Sequence, residues 1–480
     1  MSPTILFSVV LLYFIVLLFV AWRTSRNSTN ESFFIGNKNS NWMLVAFGMI
    51  GTSLSGVTFV SVPGAVVKES FAYFQITLGY IIGYIVIAFV LLPIYYRLNL
   101  TSIYNYLSGR LGFTAYKTGA SFFILSRTLG ATARLYLVVN ILQEAILKSF
   151  GVPFWATTLV ILIMILLYTY EGGVKTIVWT DTLQTTCMLA GLVICVIYIL
   201  NHLNEGFIES LQAMNEKGYA RIFFTDPDSK LFFVKQIVAG AFITITMTGM
   251  DQEMMQKNIS VKTLKDSQKN MITLSIIMLV VILLFLFLGG LLYLFAAQNN
   301  VTAIGDKIFP AVALKHMPPF ISVIFIIALI SALFPSADGA ITALTSSFCI
   351  DIIGMQRRND LTEKAKKKLR QRVHLVFSGI FLLFVLLYKW INEPSMIGVI
   401  LKVAAYTYGP LLGLFTFGIL LKRNVLDKFV PVVCVAAPVI CFFIDKYQQQ
   451  LFGNYQIGLE LLVINGLLTF TGLLIISKKQ

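Results

Sequence analysis

The sequence predicts an all-α polytopic membrane protein, on three observations. Windows of about 18 or more mainly apolar residues, the length a helix needs to cross a hydrocarbon layer, recur along the whole chain. Only 12% of the 480 residues are charged and 57% are hydrophobic, against roughly 25% charged in an ordinary soluble domain. The basic residues behind the net charge of +15 fall mostly between the windows, and mostly in every second connection.

The windows place about thirteen helices, near 3–22, 41–66, 71–96, 117–147, 153–170, 177–200, 233–256, 270–297, 319–350, 373–391, 396–420, 428–446 and 458–477. The first, PTILFSVVLLYFIVLLFVAW, has no Lys or Arg before it and is followed by Arg23 and Arg26. It is expected to be a retained helix with the N-terminus outside, not a cleaved leader. Alternation from that start leaves about 24 of the 37 Lys and Arg in inside connections and about nine outside, and puts the C-terminus in the cytoplasm. This is the positive-inside bias of a plasma (inner) membrane protein, concentrated in QRRNDLTEKAKKKLRQR, which is expected to be a solvated loop beside the bilayer. The basic excess therefore implies no nucleic-acid partner. No stretch is long and polar enough for a second domain, so residues 1–480 read as one transmembrane unit.

Chemistry-bearing motifs point away from an enzyme. Cys187, Cys195, Cys349, Cys434 and Cys441 lie in apolar windows without metal-ligand spacing,. His202, His316 and His374 sit near helix ends, and are expected to be ordinary interfacial residues. No glycine-rich phosphate loop or nucleophile motif is present.

Charges inside the windows carry more information, because ionisable groups at membrane depth face a bundle interior or an aqueous cavity. Arg127 and Arg134 lie seven residues apart in KTGASFFILSRTLGATARLYLVVNILQEAI and so share a helix face,. Lys402 lies one turn into SMIGVILKVAAYTYGPLLGLFTFGIL, whereas Lys235 is close enough to a helix start to snorkel,. Asp181, Asp251, Glu253 and Asp338 interrupt other apolar stretches.

Two windows are expected to be broken helices. FGMIGTSLSGVTFVSVPGAVV centres on Gly51-Thr52-Ser53-Leu54-Ser55-Gly56, a poor helix former, and GAFITITMTGMDQEMMQKN has a comparable core from Thr244 to Asp251,. Unwound backbone at this depth is tolerated where it lines a cavity, and there it coordinates ions and polar solute groups. The two windows open successive sets of five helices, 41–200 and 233–420. The second set would be inserted upside down relative to the first. One helix (3–22) precedes the sets and two (428–477) follow.

In these stretches the sequence resembles the sodium/solute symporter family, whose members carry sugars, proline, sialic acid, iodide and monocarboxylates. The matching pieces are GTSLSGVTFVSVPGAV, RTLGATARLY, GGVKTIVWTDTLQ, MDQEMMQKN, SALFPSADGA and YGPLLGLF, in order along nearly the whole chain. The resemblance implies a leucine-transporter-type inverted repeat of five plus five helices. It also implies a principal sodium site built from the carbonyls of Gly51, Leu54 and Ala332 and from side chains at 335 and 336. Carbonyl and hydroxyl oxygens suit a hard cation that must bind and leave.

Position 335 departs from that pattern, being proline where a serine is usual. Proline cannot donate to the carbonyl four residues back, so the freed Ser331 oxygen, or a water beside it, is expected to join Ser336 as a ligand. Ala332, Ser336, Gly339, Ala343 and Ser347 form a small-residue stripe along which the first broken helix can approach,. Asp338 is about 100 degrees round the helix from that stripe. With Asp181 it is expected to hold a second cation, to share a proton, or to be a structural pair.

For the solute, the resemblance implies a lining that includes Ser53, Ser55, Thr58, Gln75, Asp251 and Gln252, with Lys402 as a further candidate. Val57 and Thr58 stand where sugar carriers have a Glu-Gln pair. Arg127 falls close to where sialic acid carriers place an arginine, and a guanidinium suits a carboxylate; Arg134 is its companion on the same face. The expected function is a sodium-coupled secondary symporter, without covalent chemistry, that imports a small polar solute, an organic or sugar acid ahead of a neutral sugar. Sodium is then a transported ion, not a catalytic one. The rival expectation is a transporter-like solute sensor with a degenerate sodium site.

Overall fold

Hydrocarbon offers backbone N–H and C=O groups no partner, so the apolar windows must satisfy them internally as helices. The computed structural model describes residues 3–24, 30–390 and 395–479. The main helices in chain order are α1 (Pro3–Thr24), α2 (Trp42–Ser53), α3 (Gly56–Glu69), α4 (Tyr73–Arg97), α5 (Phe113–Ala145), α6 (Phe154–Tyr170), α7 (Gly173–Leu203), α8 (Phe233–Gly249), α9 (Gln252–Ile259), α10 (Leu264–Gln298), α11 (Pro319–Ile352), α12 (Glu363–Tyr388), α13 (Met396–Thr407), α14 (Gly409–Leu420), α15 (Asp427–Lys446) and α16 (Leu461–Ile475). Among the described residues, eight helices are long and apolar enough to cross a membrane, or up to eleven if each bent pair is one span; α6 and α16 are shorter apolar helices. The expected end of helix 373–391 lies outside the described residues.

Both expected breaks are present. α2 and α3 meet at 54° across Leu54 and Ser55, and α8 and α9 meet at 65° across Met250 and Asp251. Asn41 starts α2 by accepting the Met43 N–H at 2.9 Å. Asp251 starts α9 by accepting from Glu253 N and Met254 N. Such caps satisfy amides that have no intrahelical acceptor.

A third bend, 45° between α13 and α14, was not expected from the sequence. Pro410 has no N–H for the Tyr406 carbonyl, and Asn465 of α16 takes over, donating Nδ2 to the Ala405 and Tyr406 carbonyls at 2.9 Å each.

The boundary between α6 and α7 falls at Gly173, whose φ of 53° and ψ of −145° interrupt the helical run. A side chain there would collide with Phe33, and only glycine adopts that backbone without strain. The basic segment before residue 373 is a loop only to Thr362 and helical from there on: α12 starts at Glu363 behind a Thr362 cap. Arg370 in it is buried, donating to Asn30 at 3.1 Å and lying over the Phe33 ring. His374, one turn on, is also buried and not interfacial, each ring nitrogen 3.0 Å from a threonine hydroxyl, Thr169 or Thr345.

α11 lies at the centre, with every residue from Ala328 to Ser347 buried. Its small-residue stripe serves both broken helices. Gly51 of α2 rests beside Pro335, and Gly339 faces Glu253 and Lys257 of α9. This placement brings the two breaks, α5 and α7 together around one polar centre.

Candidate functional site

The unwound Leu54–Ser55 segment forms one wall of a cavity of about 100 Å³. Ser53, Ser55, Thr58 and Val57 line it from the first broken helix, and Thr244, Met247 and Thr248 from α8. Tyr73, Tyr80 and Tyr84 add hydroxyl-bearing rings from α4, while Ile397, Ile400 and Leu401 close it from α13. Tyr73 and Tyr80 hydroxyls are 3.1 Å apart. Arg127 and Arg134 both reach this cavity, as their seven-residue spacing requires.

The two arginines have different surroundings. Arg127 is committed to the second broken helix: its Nη2 donates to Glu253 Oε2 and its Nη1 stands 3.9 Å from Asp251 Oδ2. Arg134 has no hydrogen bond or ion pair among the described residues, and is half-buried in the cavity wall. A guanidinium left so is available for a planar anion, and two parallel N–H donors match a carboxylate.

Next to the cavity lies a buried ion network. Lys257 Nζ stands 2.7 Å from Asp181 Oδ2, 2.6 Å from Thr52 Oγ1 and 3.6 Å from Glu253 Oε1. Tyr408 donates to Asp251 Oδ2 at 2.7 Å, and Tyr168 donates to Asp338 Oδ2 at 2.7 Å. Asp181, Asp251, Glu253, Asp338, Arg127 and Lys257 are all buried, and each carboxylate has a cation or a hydroxyl donor, as buried charge requires.

On the Gly51 side of the first break the groups from α7 and α11 are neutral. A side chain on Gly51 would collide with the Thr185 hydroxyl and come within 3.6 Å of the Pro335 ring. The Gly51 backbone therefore lies directly between α7 and α11. Ser336 Oγ donates to the Leu333 carbonyl at 2.8 Å. Thr185 Oγ1 is buried with no hydrogen-bond partner, and it sits one turn beyond Asp181 on α7. Gly51 thus lies against α11 at Pro335, the residue before Ser336, and Gly56 beyond the break faces the Leu333 amide and the Leu329 carbonyl. The Ser331 hydroxyl points elsewhere, donating to Tyr13 of α1 at 2.7 Å, so only its carbonyl remains a candidate ligand.

Several expected solute residues lie apart from the cavity. Gln75 is held by the loop before α8, donating to the Ala72 and Leu231 carbonyls and accepting from Phe224 N at 3.2 Å. Gln252 clamps the segment after α4 through Ile103 N and the Thr101 carbonyl. Lys402 faces outward, with its side chain 62% exposed and paired with Asp445 at 2.9 Å. Its helix face is the one toward α15 and not the one toward the cavity. Asp251 does not line the cavity; its carboxylate meets Arg127, which does, and Tyr408. Sequence reasoning missed Lys257, Thr52, Thr185, Tyr168 and Tyr408, and noted Glu253 without giving it a role. For Lys257 the signal was available: a Lys four residues after Glu253 lies on the same helix face.

A family model described as the sodium:solute symporter family matches residues 33–425. Sodium-coupled monocarboxylate transporter 1 of Mus musculus is 25% identical over 419 residues, which are 84% of this chain and 66% of that protein. The chain thus spans just under two thirds of that relative. Sodium/sialic acid symporter SiaT of Proteus mirabilis is 23% identical over 474 residues, 95% of this chain and 92% of the relative. Among solved structures, a Na+-coupled sialic acid symporter in a substrate-bound outward-open state superposes with a TM-score of 0.86 at 20% identity, covering 99% of both chains. Mhp1, a nucleobase-cation-symport-1 family transporter, superposes at 0.55 with 11% identity over 93% of both chains. These structures share the fold.

Proposed function

Because this chain belongs to the sodium:solute symporter family, we propose that it is a sodium-coupled symporter that imports a small carboxylate-bearing solute across the plasma membrane. Family and relatives are transporters, not enzymes. The observation that carries the solute class is the contrast between the two arginines: Arg127 is neutralised within the protein, and Arg134 presents an unpaired guanidinium to the cavity beside the first break. A neutral sugar would leave that charge uncompensated. The curated relatives named for sialic acid and monocarboxylates carry acids as well.

In this reading sodium binds where α11 crosses the first break, held by the carbonyls of Gly51, Leu54 and Ala332 and by the Ser336 hydroxyl. The Ser331 carbonyl, freed by Pro335, and the unpartnered Thr185 hydroxyl supply the remaining oxygens. Ser53, Ser55 and Thr58 bind the polar body of the solute and Arg134 its carboxylate. A cation on one side of the unwound segment and an anion on the other stabilise the same conformation, so each raises affinity for the other reciprocally. The architecture supports two inverted sets of five helices, 41–200 and 233–420. The three bent pairs, the eight long helices and the two short ones together supply thirteen crossings, with the N-terminus outside. A solute sensor with a degenerate sodium site is the weaker reading, because the relatives are named as sodium-coupled transporters and symporters.

Uptake by proteoliposomes tests the proposal. N-acetylneuraminate, a short monocarboxylate and a neutral hexose are offered with an inward sodium gradient or with potassium at equal ionic strength. An acid taken up only with sodium is the expected result. Uptake of the hexose in preference to both acids, or uptake indifferent to sodium, overturns it.

A further inference from the structure

The ion network beside the sodium site has a feature that the family assignment does not supply: one of its cations belongs to the protein and stands where a free ion would otherwise be needed. We propose that Lys257 is a tethered cation, its ammonium filling the place at Asp181 that a second monovalent ion would take, so that the protein binds one sodium rather than two. The inference rests on the symporter reading above and deepens it by fixing the ion count.

Three observations converge on the Lys257 ammonium. First, it touches a carboxylate and a hydroxyl oxygen at 2.7 and 2.6 Å, Asp181 Oδ2 and Thr52 Oγ1, with Glu253 Oε1 at 3.6 Å. An acidic and hydroxylic oxygen set is what a monovalent metal ion would use. The pair is almost fully buried, 4% exposed for the lysine side chain and 0% for the aspartate, so Asp181 requires a compensating positive charge.

Second, the other cation and donor nearby are committed. Arg127 is spent on Glu253 and Asp251, and Asp338 takes its donor from Tyr168. With Lys257 in place, Asp181 has its cation without recruiting one from solution.

Third, α11 makes room for the lysine. Gly339, which faces α9, offers no side-chain oxygen, and Pro335 beside Gly51 offers none either. A side chain at 339 would collide with the Glu253 carboxylate and come within 3.2 Å of the Lys257 ammonium. The same glycine that removes a potential ligand therefore makes room for the lysine. Lys257 hangs from α9 beyond one break, Thr52 precedes the other break, and Asp181 belongs to α7, so a single ammonium ties three elements. Being covalently attached, it gives the site a fixed positive charge and cannot be released with the solute.

Sodium alone is the probe, so the solute need not be known. Purified full-length protein is titrated with radiolabelled sodium by equilibrium dialysis at constant ionic strength, and bound ions per chain are counted. The expected count is one for the wild type and one for Lys257→Arg, which keeps the charge. Lys257→Gln is expected to bind two, the second ion replacing the lost ammonium, and Lys257→Gln combined with Asp181→Asn returns to one because the uncompensated carboxylate is gone. Two ions in the wild type, or one ion in folded Lys257→Gln, overturns the tethered-cation proposal while leaving the symporter reading intact. No sodium on the wild type removes the principal site and with it both readings. Should Lys257→Gln fail to fold, the wild-type count still decides, since a second free ion beside an intact Lys257 contradicts the proposal.

Discussion

The two broken helices look alike as sequence, each interrupted by glycine and hydroxyl residues, yet the side chains carried by their breaks differ: hydroxyls at the first, acids and a lysine at the second. At the first, Leu54 and Ser55 are flanked by glycines, hydroxyls and backbone carbonyls, and the nearest side chains from α7 and α11 are Thr185 and Pro335. At the second, the α9 cap is Asp251, followed at once by Glu253 and then Lys257, and each is engaged by a partner on another helix. Neutral oxygens hold an ion without trapping it, whereas interlocked charges hold protein to protein. We infer that the first break is where cargo binds, and that the second is the joint around which the neighbouring helices are assembled.

Breaking the charged joint is expected to have the largest effect. Arg127→Ala strands Glu253 and Asp251 in a buried site, and removing one partner of such a pair costs about 3–5 kcal/mol. Thermal unfolding in detergent should show a large loss of stability, whether or not sodium is present. Glu253→Gln combined with Arg127→Ala should recover part of it, because Glu253 is then uncharged and Asp251 keeps the Tyr408 hydroxyl as its donor. A stable single variant would show that water or another cation already reaches the second break, and the contrast between the breaks would fail.

Arg134 should behave in the opposite way. It stabilises nothing among the described residues, so Arg134→Gln should unfold at nearly the wild-type temperature and keep its response to sodium alone. Solute affinity should fall by about 10- to 100-fold, the equivalent of the 1.5–3 kcal/mol typical of hydrogen bonds to charged groups. Arg134→Lys should recover only part, since charge without the planar fork lacks bidentate geometry. Binding measured by calorimetry with the transported acid checks this. An affinity loss at Arg127 but not at Arg134 would exchange their roles.

How much of this contrast was legible in the sequence differs between the two breaks. That breaks fall within 51–56 and 244–251 was readable because glycine and hydroxyl residues are poor helix formers, although the breaks themselves span only Leu54–Ser55 and Met250–Asp251. The partners of the charges were not readable, because pairing is set by tertiary approach. Lys257 lies one residue past the helix end expected at 256, and read as linear chain it belongs to a loop. The 65° bend at Asp251 turns it back into the protein. Lys402 shows the converse: position along an apolar window does not say which face of a helix is buried, and its side chain faces outward to Asp445. Gln75 and Gln252 carry amides that serve equally well to bind a solute or to fasten a loop, and nothing in their spacing separates the two. The bend at Tyr408 could have been found from Gly409-Pro410, but its stabilising partner, Asn465, is more than fifty residues away.

Smaller effects are expected at the neutral break, because each ligand is one of several. Ser336→Ala and Thr185→Val should each raise the sodium concentration for half-maximal thermal stabilisation by about three- to tenfold, a loss near 1 kcal/mol per oxygen. Thr185→Ser, which keeps the hydroxyl, should stay close to wild type. If Thr185→Val leaves sodium affinity unchanged while Ser336→Ala weakens it, the buried Thr185 hydroxyl serves packing alone and the site is completed from α11.

Pro335→Ser is expected to have the smallest effect, and its sign is the informative part. Serine restores a hydroxyl at the break but also restores an N–H, which bonds the Ser331 carbonyl and withdraws it from the ion. One oxygen is gained and one lost, so half-saturation should move by less than about threefold and, if it moves, toward tighter binding, because a hydroxyl can rotate to suit the ion while a helix carbonyl cannot. Sodium titrations of Pro335→Ser alone and combined with Thr185→Val separate the contributions. If Thr185 is the ligand that makes the proline tolerable, Pro335→Ser should rescue Thr185→Val, and the two changes should be non-additive as expected for side chains that share one partner. Strict additivity would mean that the two positions do not meet at a common ion, and would leave the Ser331 carbonyl as the sole replacement for the missing serine.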